Sequence, residues 1–174
     1  MRRLRAEELL LPGVALLVLV LDQVTKGLIV ARMTLGQSMD LTPWLAPVFR
    51  LTYITNTGVA FGLFPGLGDF FIIVDLVVVV VLMIYNRWLP AGNWIMRVAL
   101  GFQLGGALGN VTDRLLRGAV VDFLDLNFWP LKTWPVGNLA DVSIVAGVVL
   151  LGIMILFEGK EQERPEEASQ ESAT

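Results

Sequence analysis

The amino-acid sequence predicts an all-α membrane protein of four transmembrane helices, with a small sheet and a short surface helix outside the bilayer. Three observations carry this expectation. Apolar residues make up 55 % of the 174-residue chain and charged residues 17 %, against about 45–50 % and about 25 % in soluble domains; the mean hydropathy is +0.69. Four apolar runs recur along the chain, each near the roughly 20 residues that a helix needs to cross a bilayer. The segments between them include one rich in β-branched and aromatic residues and one rich in Trp and Phe.

The first run, 9–31, follows the basic start Met1-Arg2-Arg3-Leu4-Arg5. A signal peptide shares that layout, but no small-x-small cleavage site follows. Apolar character resumes after Asp22-Gln23-Val24-Thr25-Lys26, so the run reads as a span. The second, 70–85, is centred on five valines at 77–81 and is closed by a turn rich in breakers at 86–92. The third, from Trp94 to about Asn110, carries Gly101, Gly105 and Gly109 on one face, where a neighbouring helix can approach closely. The fourth occupies 139–157. Four spans put both termini on one side, and the basic start places that side in the cytoplasm.

Residues 33–69 and 112–137 then face outward. Val48-Phe49-Arg50-Leu51-Thr52-Tyr53-Ile54-Thr55 is β-rich and partly alternating, which predicts a small sheet. Phe123, Phe128, Trp129 and Trp134 suit the headgroup zone, and part of 112–137 is expected to be a short helix along the membrane surface. The expected organisation is one membrane-embedded domain, 1–157, and an acidic, disordered cytoplasmic tail, 158–174. That tail holds six glutamates against Lys160 and Arg164, a net −4 that leaves the rest at +1.

Composition excludes much chemistry. The absence of cysteine rules out disulfides and thiol nucleophiles, and the absence of histidine rules out Ser–His–Asp triads and the usual zinc sites. No basic patch supports a nucleic-acid partner. No cofactor and no metal are expected, and hydrolysis would have to use carboxylates, Lys or hydroxyl groups.

Polar residues gather between Gly109 and Asp141, at the edges of the third and fourth runs: Asn110, Asp113, Arg114, Asp122, Asn138 and Asp141. Ionisable groups at membrane depth are costly and mark functional sites by default. Asp141 near a helix start is also what the helix dipole favours, whereas Asp122 in Val-Val-Asp-Phe has apolar neighbours on both sides. Two carboxyls brought together in a poorly solvated site cannot both ionise easily and share a proton; one can then activate water while the other polarises a carbonyl. Asp22 and Lys26, four apart, can pair on one helix face. Arg114 can clamp a carbonyl or carboxylate, or snorkel to headgroups. Asn56-Thr57-Gly58 fits a turn. Asp75, inside the second run, is unexplained by the sequence.

Five boxes taken together resemble the lipoprotein signal peptidase (signal peptidase II) family. They are Asp22-Gln23-Val24-Thr25-Lys26, Asn56-Thr57-Gly58-Val59-Ala60-Phe61, Gly109-Asn110-Val111-Thr112-Asp113-Arg114, Val120-Val121-Asp122-Phe123 and Asn138-Leu139-Ala140-Asp141. The resemblance implies a membrane aspartyl endopeptidase with Asp122 and Asp141 as the catalytic pair. It implies Asn56, Gly58, Asn110, Arg114 and Asn138, with Asp22, Lys26, Asp113 and Ala140, as lining or supporting residues. It also implies four transmembrane helices with an extracytoplasmic β-cradle, in a monomer of the bacterial cytoplasmic membrane whose site lies near the outer face. The implied substrate is a prolipoprotein with a diacylglyceryl-modified lipobox cysteine, cleaved on the N-terminal side of that cysteine; membrane lipids are the other partner. Gly137 departs from the family's usual aromatic, and Thr112 from a bulkier apolar residue. A proton or ion transporter is the rival reading, but it needs acids across the bilayer depth, whereas these cluster toward one end.

Overall fold

The computed structural model describes residues 6–58, 68–131 and 134–171. A 3-10 turn, Ala6–Leu9, leads into α1 (Leu10–Arg32). The short strand β1 (Ser38–Met39) and the longer β2 (Phe49–Asn56) follow, then α2 (Gly68–Trp88), α3 (Trp94–Arg117), β3 (Val120–Leu126) and α4 (Leu139–Glu171).

The bundle is built around α3, which packs most extensively on α1 and α4 and also contacts α2. Its glycines set the distance of approach. A Cβ on Gly105 would lie 2.6 Å from the Val18 Cβ and 2.7 Å from the Ala15 carbonyl of α1, and one on Gly101 would strike Val14. The neighbouring face meets α4, where a Cβ on Gly106 would strike the Ala140 carbonyl. Helices this close gain van der Waals contact along their backbones, which drives association where lipid supplies no hydrophobic effect. One cluster joins Leu11, Ala15, Leu82, Leu89, Leu100 and Leu104 in the bundle.

Outside and inside are exchanged relative to a soluble protein. Leu16, Leu17, Val77, Val81, Val148 and Val149 are exposed on the helices, while Asp22, Lys26, Asn110, Asp113 and Asn138 are buried. Such a surface suits hydrocarbon rather than water. Among the described residues, Glu7–Arg32 and Leu139–Phe157 are long and apolar enough to cross a bilayer.

Three antiparallel strands form a sheet in the order β1-β2-β3. In its register Ile54 faces Asp122, and Asn56 faces Val120. Val121 and Phe123 seat the sheet on Ile29 and Met33 at the end of α1. The sheet thus fixes Asp122 against the helical bundle.

One expectation is corrected here. No α-helix occurs among the described residues of 118–137, where part of the segment was expected to form a surface helix. The β-branched Val120-Val121 run pairs with β2 instead, because α3 continues past Asn110 to Arg117 and ends on left-handed Gly118 (φ 76°), whose N–H bonds to Arg114 O at 3.1 Å. The helical backbone of α4 runs on from Glu158 to Glu171.

Candidate active site

Asn138, the residue before α4, ties the site together. Its Oδ1 accepts the N–H of Asp141 at 3.0 Å, and Asp141 Oδ2 accepts the N–H of Asn138 at 3.1 Å. This reciprocal cap satisfies amides that a helix start leaves without partners. Asn138 Nδ2 donates to Asp122 Oδ1 at 2.6 Å and to Asn110 Oδ1 at 3.2 Å. Asn110, on α3, in turn donates from Nδ2 to Asp141 Oδ1 at 3.0 Å. One amide side chain therefore bonds directly to Asp122 and to the backbone of Asp141.

Both acids line a cavity of about 310 Å³ together with Asn56, Gly58, Asn110 and Arg114. Asp122 is buried, 2 % exposed. Burial pushes its carboxyl up to about 7, and the negative charge of Asp141 adds to the rise. Hydrogen bonds from Asn138 and Asn56 and the charge of Lys26 act in the opposite sense and are outweighed.

Behind the cavity lies an ionic node. Lys26 Nζ is 2.9 Å from Asp22 Oδ2, 3.0 Å from Asp113 Oδ2 and 3.1 Å from Asn110 Oδ1, and all three charged side chains are fully buried. Arg117 and Gln23 also hold Asp113. The two acids of the node also accept backbone N–H groups. Asp113 Oδ2 accepts the Val121 N–H at 2.9 Å, and Asp22 Oδ1 accepts the Ala140 N–H at 2.9 Å. Each acid flanking Lys26 thus grips the residue just before Asp122 or Asp141. The expected Asp22–Lys26 pair is present and belongs to this larger arrangement.

The remaining expected residues also converge. Gly58 N–H bonds to Asn56 Oδ1 at 2.9 Å, the turn that Asn-Thr-Gly suggests. Arg114 donates from one terminal nitrogen to Asp75 Oδ2 at 2.8 Å and from the other to Gly58 O at 3.2 Å. Its clamping role is met within the protein. Asp75 lines the same cavity and was missed as a site residue. An acid inside an apolar run does signal that it has a partner, but nothing local points to Arg114 on another helix.

The sequence model of the family described as signal peptidase (SPase) II, Peptidase_A8, matches residues 14–157. The chain belongs to the signal peptidase II family. The lipoprotein signal peptidase of Moorella thermoacetica is 42 % identical over 150 residues, covering 86 % of this chain and 95 % of that protein. That of Halothermothrix orenii is 42 % identical over 145 residues, covering 83 % and 93 %. A solved bacterial membrane enzyme, determined in meso at 2.3 Å, superposes with a TM-score of 0.77 at 33 % identity, covering 87 % of this chain and 90 % of that one. Signal peptidase II is a protease, so membership makes the chain a membrane peptidase and disposes of the transporter reading.

Proposed function

We propose that the chain removes signal peptides from diacylglyceryl-modified prolipoproteins by hydrolysing the bond on the N-terminal side of the lipobox cysteine, with Asp122 and Asp141 as the catalytic pair. The observation that carries the assignment is that both acids line one cavity and are tied together through Asn138. Asp122, pushed up to about 7, holds a proton that it can donate in a hydrogen bond to the scissile carbonyl. Asp141 accepts from Asn110 Nδ2 and from the Asn138 N–H, which aim its oxygens into the site. There it takes a proton from the attacking water as the new C–O bond forms. The proton on the acids then passes to the departing cysteine nitrogen as the C–N bond breaks. Asn56, Gly58, Asn110, Arg114, Asn138 and Ala140 shape or brace the cavity, while Asp22, Lys26 and Asp113 hold the backbone on which the pair is mounted.

The topology that fits this chemistry has all four helices crossing the membrane. Residues 1–157 form one monomeric domain, both termini lie in the cytoplasm, and the cavity lies at the outer boundary of a bacterial cytoplasmic membrane. The basic N-terminus supports that orientation. A lipid anchor on the substrate would then deliver the scissile bond by diffusion in the plane, so that proximity rather than tight peptide binding supplies the encounter. Purified protein in detergent should cleave a diacylglyceryl-modified lipobox peptide before its cysteine, equally with and without EDTA. Cleavage elsewhere, or only with a divalent metal, would overturn the assignment. Cysteine labelling that placed Gly68 in the cytoplasm would overturn the orientation.

A further inference from the structure

Gly137 lies at the boundary between two chambers. The cavity that holds Asp122 and Asp141 is lined on one side by Trp134, Pro135, Gly137 and Val145. The same four residues and Asp141 line a second cavity of about 360 Å³, whose other walls include Phe49, Leu124, Leu126, Leu131 and Val142. The first chamber also holds Asn56, Asp75, Asn110, Arg114 and Asp122. The second is almost wholly apolar, with Asn138 and Asp141 as its polar edge.

Nothing in the backbone explains a glycine at this position. Among the described residues the positive-φ glycines are Gly36, Gly92 and Gly118, and Gly137 is not among them. Its place is fixed by the sheet: Gly137 O accepts the N–H groups of Phe123 and Leu124, both at 2.7 Å, and its own N–H donates to Leu124 O at 3.0 Å. A Cβ built there would stand 3.0 Å from Asp141 Oδ2. A side chain at 137 would therefore grow into the boundary between the chambers, beside the acid.

The geometry points to Gly137 as a specificity-determining residue: its missing side chain opens the apolar chamber to a bulky apolar side chain of the substrate close to the scissile bond. This deepens the peptidase assignment and rests on it. A few buried methylenes decide between substrates by about ten- to a hundredfold. An acyl chain of the anchor shares the chemistry of such a side chain, so the test must separate the two.

The experiment compares kcat/KM for diacylglyceryl lipobox peptides carrying Leu or Ala on either side of the modified cysteine, in the full-length protein and in Gly137→Phe and Gly137→Ala. The Leu-to-Ala ratio cancels any general loss from crowding Asp141 or from partial misfolding. It should fall at least about tenfold in Gly137→Phe and by less, in the same direction, in Gly137→Ala, which decides the matter if the larger variant does not fold. A parallel series varies acyl length at fixed sequence. An unchanged ratio, with both peptides slowed alike, would overturn the inference and reduce Gly137 to clearance for Asp141. So would a loss that follows acyl length and not the side chain. Wild-type protein that cleaves none of the peptides would remove the peptidase assignment itself, an outcome distinct from cleavage with an unmoved ratio.

Discussion

Two buried polar clusters lie at opposite ends of α3, and they differ in what they leave unspent. At the first turn, Arg97 is 1 % exposed and donates to Asn86 O at 2.8 Å and Leu89 O at 3.0 Å, and also to the Asn86 side chain. Asn86 Nδ2 reaches Glu8 O at 3.2 Å, and Gly92 N–H reaches Glu7 Oε2 at 2.8 Å. This cluster closes the α2–α3 turn onto the start of α1, and neither chamber described above touches it. At the other end of α3, Lys26 sits among carboxylates, and the hydrogen bonds run on through Asn110 and Asn138 to Asp122 and Asp141 in an open cavity. Burial of polar groups is common to both ends. What distinguishes the second cluster is a pair of acids lining an open cavity.

The largest expected effect tests that distinction directly. Asp122→Asn and Asp141→Asn keep shape but cannot exchange a proton, so each should lower single-turnover cleavage at least about a thousandfold, roughly 4 kcal/mol in barrier. The double variant should be little worse than either, because the two act as a unit. Either single variant retaining a tenth of the rate would remove that residue from the chemistry.

Next come the two buried cations. Lys26→Met leaves Asp22 and Asp113 buried beside an apolar tip, and breaking a buried pair in this way costs about 3–5 kcal/mol. Arg97→Met leaves carbonyls unsatisfied, at about 1–3 kcal/mol for each such group. Thermal unfolding in detergent should fall for both. Only Lys26→Met should also lower the rate per folded molecule, since only that cluster grips Val121 and Ala140. Equal rates in the two folded variants would erase the contrast between the ends.

A finer test uses pH. If protonated Asp122 is the acid, kcat/KM should fall as pH rises through about 7. Asn56→Ala removes a hydrogen bond that favours the charged form, so the alkaline limb of its residual activity should move to higher pH. A limb that stays put would assign the acid elsewhere. Stability follows the same sign. The folded state keeps a proton that an unfolded aspartate has lost above about pH 4, so raising the pH from about 4 to 7 weakens the fold. The smallest effect belongs to neither cluster. Arg50 and Asp40 pair at 3.6 Å with both side chains exposed, and Asp40→Asn should change stability by less than about 1 kcal/mol.

The helices were legible in the sequence because hydrocarbon demands long apolar runs, and β2 because its residues alternate beside a turn. Asp122 and Asp141 stood out as acids with apolar neighbours. What stayed hidden is long-range pairing. The Asp75–Arg114 bond joins α2 to α3. The grips of Asp113 on Val121 and Asp22 on Ala140 end on backbone amides, which carry no side-chain signal. The surface helix failed as an expectation because aromatic residues suited to headgroups say nothing about whether Val120-Val121 will find a strand to join.

The node around Lys26 has a mechanical consequence. Bilayers differ in thickness, and helices answer by tilting or sliding. Here α1, α3, the strand bearing Asp122 and the helix bearing Asp141 are all moored to one ammonium through two carboxylates. A tilt that drags α1 past α3 must carry both moorings with it, so the gap between the two acids should hold constant as the thickness of the membrane changes. Reconstituted in thin or thick lipid, the protein should turn over at nearly one rate, and Lys26→Met should make that rate depend on the host.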